Sequence, residues 1–148
     1  MSETGRADLS EKLARAQERM PPLSKLLGVK LTSLSPERVT AELVARTELG
    51  NGSNILHGGA YMAFADYLGA LGTVLNLRKG QTTTTIESKT NFFAPAPIGT
   101  TIFGESLPLH RGRRTNVWQT RITNAEGRLL AMVTQTQMVI EPPKPDAT

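Results

Sequence analysis

Asp66 is the residue that most needs an explanation. It is the one charge in AYMAFADYLGALGTVLNL, residues 60–77, a run dominated by Ala, Leu, Met and Phe. A carboxylate is stable in an apolar helix only when it is paired or put to use. Upstream, Asn51 opens the polar loop NGSNILHGG, which His57-Gly58-Gly59 closes. Where such a loop turns into a helix, free backbone N–H groups stand at the positive end of the helix dipole with no side chain over them. That arrangement can polarise a carbonyl. The plainer alternatives are that the glycines only let the loop turn while His57 caps or packs, and that Asp66 is bonded to a polar neighbour.

Spacing constrains the first reading. Asp66 lies eight residues past Gly58, so on one helix the two are about 12 Å apart. They cannot act together on one small carbonyl. If both take part in chemistry, Asp66 must meet the His57/Gly58 junction of a second copy, which a two-fold axis between helices would arrange. The expectation is an obligate dimer with two shared sites.

The helix that positions these groups is expected from Ala60 to Leu77, ending at basic Arg78-Lys79 and Gly80. At 100° per residue, Tyr61, Phe64, Leu68, Leu71 and Leu75 form a bulky core-facing stripe. Gly59, Met62, Asp66, Gly69, Ala70 and Thr73 form a mostly small face that leaves room for something else to approach. Before it, residues from Ser10 to Leu27 read as a short amphipathic helix broken at Pro21-Pro22. Two strands then turn at Ser35-Pro36-Glu37. After it come four β-rich runs, from Gln81 to Phe93, Thr100 to His110, Arg113 to Thr123 and Arg128 to Ile140, separated by Pro, Gly and Asn turn signals. Strand, strand, helix and four strands make an α+β layout in which an antiparallel sheet of about six strands wraps one long central helix. The expected boundaries are a lead-in over 1–24, one domain over 25–140 and a flexible tail over 141–148.

Composition narrows the function classes. The chain has 148 residues, no cysteine and two histidines far apart, so it has no thiolate nucleophile or thiolate metal site, and no metal is expected. The charged N-terminal stretch lacks the apolar core of a signal peptide, and Asp66 with four glycines argues against a membrane span, so a cytoplasmic location is expected. The net charge of +4 is concentrated in residues 106–128, which hold five Arg and one Glu. A local basic cluster suits an anionic small ligand. Nucleic acid is not expected, because a binder would more often show several patches with interleaved aromatics and the chain has seven aromatics in all.

The Asn51, His57-Gly58-Gly59 and Asp66 spacing, followed by a Thr-rich strand ending in Phe92-Phe93-Ala94-Pro95, resembles the hotdog-fold acyl-CoA thioesterases of the PaaI type over residues 25–140. The resemblance implies the hotdog fold and a homodimer pairing into a homotetramer. It implies hydrolysis of an acyl- or aryl-acyl-CoA thioester, with no cofactor beyond the coenzyme A carried by the substrate. The Gly58 N–H would hold the thioester oxygen and the partner's Asp66 would be nucleophile or general base. Asn51 would orient the carbonyl or water and His57 would shape the loop. A hydroxyl beside the carboxylate falls at Thr85 counting back from Phe93-Ala94-Pro95, or at Thr84 counting forward from Asp66; Thr85 is preferred because the sheet sets strand register. Arg111, Arg113 and Arg114 of HRGRRTNVW would lie near the coenzyme A phosphates, although the same run also reads as a solvated turn. Trp118 reads as core or interface, and Met62, Tyr67, Leu68 and Phe92 suggest an apolar pocket. The competing functions are a non-catalytic acyl-CoA binding module and a hotdog hydratase or dehydratase.

Overall fold

A computed structural model describes residues 3–143. The elements in order are α1 (Glu3–Glu18), α2 (Pro22–Leu27), β1 (Lys30–Ser35), β2 (Arg38–Val44), a 3-10 turn (Thr47–Leu49), α3 (Gly58–Val74), β3 (Thr82–Phe92), β4 (Thr101–Arg111), β5 (Thr115–Thr123) and β6 (Leu129–Ile140). One six-stranded sheet runs in the order β1-β2-β4-β5-β6-β3 with every neighbouring pair antiparallel. Among the described residues strand β3 is therefore an edge strand, paired with β6.

The proline pair divides the N-terminal helical region as expected, with Pro22 at the first turn of α2, where a missing N–H is harmless. Helix α1 begins earlier than Ser10. Gly28, at φ 80°, ends α2 with bonds back to Lys25 O and Ser24 O. Only glycine adopts that left-handed cap without strain. Helix α1 is tied to the sheet by Gln17, which donates to Val29 O at 2.8 Å and accepts from Leu31 N at 3.0 Å.

Helix α3 is shorter at its C-terminal end than the apolar run implies, stopping at Val74 instead of Leu77. Asn76 is the cause. Its N–H bonds Thr73 O at 2.8 Å and its side-chain Nδ2 bonds Gly72 O and Pro36 O, both at 2.8 Å, so the last turn closes on the β1–β2 turn. Leu75 is consequently outside the helix and exposed, and Leu71 is only partly buried. The bulky stripe that fills the core is Tyr61, Phe64 and Leu68, with Ala60 and Ala65 beside it. Phe64 and Leu68 press against Gly104 of β4, where any Cβ would come within 2.7 Å of both.

The small face of α3 also differs from expectation. Part of it packs on the chain's own sheet: Gly69 faces the Gln135 side chain and Thr73 is wholly buried, while the neighbouring Gly72 lies on the Trp118 ring system. Trp118 is wholly buried, with its Nε1–H donated to Thr73 Oγ1 at 2.8 Å. What stays at least partly open is the row Met62, Asp66, Ala70 and Val74, spaced by four and so stacked along one side of the helix. A Gly72→Ala change puts a Cβ 2.7 Å from Trp118 Cη2. The indole cannot retreat without breaking its bond to Thr73. Overpacking of about 1–3 kcal/mol then outweighs the helix-propensity gain of about 1 kcal/mol. A lower denaturant midpoint with an unchanged slope is the expected result.

Candidate active site

The N-terminal end of α3 is prepared by a tight loop. Asn51 N bonds Ile55 O at 2.8 Å, and the Asn51 side-chain oxygen accepts from Ser53 N at 2.9 Å. Asn54 sits at φ 57°, a left-handed conformation that Asn tolerates better than most residues. The loop is anchored by His57 N to Leu49 O and Leu56 N to Ala96 O. His57 is the N-cap, and its Nδ1 accepts from Gly59 N at 2.9 Å. That bond makes Nδ1 the unprotonated ring nitrogen and satisfies one of the helix's orphan donors. Gly58 N–H has no acceptor among the described residues.

Gly58 opens onto a cavity of about 430 Å³ lined by Asn51, Ile55, Leu56, Tyr61, Phe92, Phe93, Ala94 and Pro95. The lining is mostly apolar, and Phe92 and Phe93 are more than half exposed there. Phe92 is set edge-on to Tyr61 at 5.9 Å between centroids, and a Cβ at Gly58 would lie 3.2 Å from its ring. Burial raises the Tyr61 phenol above its ordinary pKa.

Asp66 stands two turns further along the same helix. Its Oδ1 accepts from Thr85 Oγ1 at 2.8 Å and from Gln135 Nε2 at 3.3 Å. Thr85 Oγ1 in turn accepts from Gln137 Nε2 at 2.6 Å, and Gln137 Oε1 accepts from Thr83 Oγ1 at 3.1 Å. Thr84 is exposed on the other face of β3. The register of β3 on β6 shifts between Thr85 and Glu87, a bulge that adds one residue to β3.

The three hairpin arginines are not equivalent. Arg111 is engaged, its Nη1 donating to Asn76 Oδ1 at 3.1 Å, Pro36 O at 3.3 Å and Glu37 Oε1 at 3.5 Å. Arg113 and Arg114 have no side-chain partner among the described residues. With Arg78, Met138, Val139 and Glu141 they line a cavity of about 550 Å³. Arg78 is a further cation there, bonded to Glu141 Oε1 at 3.1 Å. Val139 N bonds Arg114 O at 2.8 Å, and Val139 lies two residues from Gln137 on β6. The cleft therefore begins about 7 Å along the strand from the Asp66 cluster.

Other expectations for the pocket change. Leu68 is fully buried against β4 and lines no open space, while Phe92 borders the Gly58 cavity and Met62 lies on the open side of α3. Tyr67 faces a separate cavity of about 370 Å³ between α1 and α3, lined also by Arg15, Arg19, Ala70 and Leu71. Burial pushes its phenol up to about 12, so it stays neutral across the working range of the protein. Of the expected tail, Glu141 is held by Arg78 and Gln81, and residues 144–148 lie outside the described residues. No helix among the described residues is long and apolar enough to cross a membrane.

One long helix laid on a six-stranded antiparallel sheet is the hotdog fold, here with a carboxylate in mid-helix and a glycine-rich helix start. The chain belongs to the thioesterase superfamily, whose family model matches residues 53–131, from the loop before α3 into β6. It is a thioester hydrolase by that membership. The chain is 30% identical over 102 residues to the proofreading thioesterase EntH of Cronobacter turicensis, an alignment covering 69% of this chain and 74% of EntH. Among solved structures it is similar to S. sahachiroi AziG, with 28% identity, a TM-score of 0.80 and coverage of 83% of this chain and 99% of that one. The E. coli PaaI protein from the phenylacetic acid degradation operon shares the fold at a TM-score of 0.79 and 21% identity, over 88% of this chain and 93% of its own.

Proposed function

We propose that the chain hydrolyses an acyl- or aryl-acyl-CoA thioester to the free acid and coenzyme A, at sites shared between two copies. The observation that carries the reading is Asp66, a carboxylate whose Oδ1 is held by Thr85 and Gln135 while its other oxygen has no partner among the described residues. That oxygen is suited to activate water or to attack the thioester carbon. With about 12 Å between the two along α3, the oxyanion donor in this reading, Gly58 N–H, comes from the second copy. Asn51, beside it in the cavity, orients carbonyl or water through its Nδ2, which has no partner among the described residues, and His57 maintains the helix start. The acyl group occupies the apolar Gly58 cavity, whose Tyr61, Phe92 and Phe93 rings make an aryl ester the first to try. Pairing of α3 with α3′ along Met62, Asp66, Ala70 and Val74 gives the dimer, which pairs again to a tetramer in a cytoplasmic setting.

Arg113 and Arg114 take the coenzyme A phosphates, with Arg78 as a third cation. Arg111, tied to Asn76 and the β1–β2 turn, serves structure first. The test is release of free thiol from a panel of aryl, short-chain and long-chain CoA thioesters, compared by kcat/KM. Replacing Arg113 and Arg114 together by Ala raises KM for CoA esters about tenfold, since exposure discounts each charge-assisted bond to about 1 kcal/mol or less. KM for N-acetylcysteamine thioesters, which lack the phosphates, stays as it was. A panel that raises the melting temperature but releases no thiol indicates a binding module instead.

A further inference from the structure

Strand β6 reads LLAMVTQTQMVI, and its inward positions run Ala131, Val133, Gln135, Gln137. Beneath the middle of α3 the strand thus changes from apolar side chains to two primary amides, both with no exposed surface. An amide in a core is destabilising unless it is bonded, and Leu or Met would pack there without that penalty. Gln135 is not even fully satisfied, because its Oε1 is buried with no partner. Gly69 carries no side chain over it, and a Cβ there would meet Gln135 Cδ at 2.5 Å. Helix and strand have both been shaped around these amides.

We infer that Gln137 is a positioning residue for the hydrolysis, acting on Asp66 through Thr85, with Gln135 bracing the same carboxylate from the other side. The inference rests on the proposed catalytic role of Asp66. The donor directions are forced by proton count. A carboxylate oxygen 2.8 Å from Thr85 Oγ1 requires the single hydroxyl hydrogen to lie between them. The group 2.6 Å away on the other side of that hydroxyl must therefore donate, which makes it Gln137 Nε2. If the amide is lost, the threonine hydroxyl is free to rotate away from the carboxylate. Gln135 Nε2 adds bonds to Asp66 O at 3.1 Å and Oδ1 at 3.3 Å, tying the carboxylate to its own helix turn. Three neutral donors in series and in parallel thus hold Oδ1 and aim the remaining oxygen.

The experiment uses the full chain and the best CoA thioester of the panel, with Gln137→Met, Thr85→Val and the double variant. Gln137→Met is expected to lower kcat on the order of 10²-fold, the usual consequence of a reacting group misplaced by about 1 Å. KM and the melting temperature should stay near wild type. The double variant should be no slower than Thr85→Val alone, because the amide acts only through that hydroxyl. Wild-type kcat in Gln137→Met, or losses that multiply in the double variant, would overturn the inference. Should Gln137→Met fail to fold, the side-chain amide resonance of Gln137 provides the second measurement: it must move in Thr85→Val, and an unmoved resonance counts against the contact. Asp66→Asn separates the two levels. Full activity in that variant removes the catalytic reading itself, whereas an inactive Asp66→Asn beside a fully active Gln137→Met removes only the positioning role.

Discussion

Asp66→Asn should lose about 10²–10⁴-fold in kcat while KM for the CoA thioester changes little. The substitution is close to isosteric, and the introduced side-chain amide would retain an oxygen to accept the Thr85 and Gln135 bonds seen at Oδ1. Packing around α3 is thus preserved and the loss is confined to the charge and basicity of the free oxygen. A variant that turns over at the wild-type rate, measured by thiol release under saturating substrate, would sink the assignment. A variant with unchanged kcat and raised KM would make Asp66 a binding group instead.

Complementation between two inactive variants is the second large effect. Gly58 is the first residue of α3, and His57 before it has φ −67° and ψ 140°, a conformation that accepts a following proline. Gly58→Pro therefore removes the one N–H of interest while keeping the helix start, and its Cβ meets the half-exposed Phe92 ring at 3.2 Å. Alone it should lose about 10²–10³-fold in kcat, the value of one oxyanion donor. If sites are shared across a two-fold axis, a mixed dimer of Gly58→Pro and Asp66→Asn contains one intact site and one doubly broken site. Random exchange of equal amounts makes half the dimers mixed, so about a quarter of wild-type activity should return. Refolding the two chains separately and then pooling them without exchange is the control. If co-refolding restores nothing, each site lies within one chain and the shared-site reading fails.

Much of the architecture can be read from residue order. Asp66 stands out because nothing around it in sequence explains a charge, and the strand-strand-helix-four-strand order follows from turn chemistry and β-branched runs. Where the reading fails, the causes are tertiary. The apolar run continues to Leu77, so nothing local shows that Asn76 folds back to bond Gly72 O and end the helix. Gly69 and Thr73 look like an open face because the groups that meet them, Gln135 and Trp118, come from strands more than forty residues later. The two glutamines are hidden by their own neighbours. In VTQTQMV both the odd and the even positions are polar, so alternation has no phase and cannot say which pair points inward. Only the inward register of Val133, set further back along β6, resolves it.

The placement of β3 at the sheet edge has a kinetic consequence. Its register runs from Thr82 opposite Ile140 to Phe92 opposite Ala131, so among the described strands the one bearing Thr85 pairs only once β6 exists. On the ribosome, β1, β2, β4 and β5 can zip together while the threonine strand waits, unpaired, through some forty residues of synthesis. Closing that long loop carries an entropic cost. It is also the step that brings Thr85 and Gln137 to Asp66, so the carboxylate acquires its hydroxyl and amide neighbours last. A nascent or C-terminally clipped chain would hold most of a sheet and no working site.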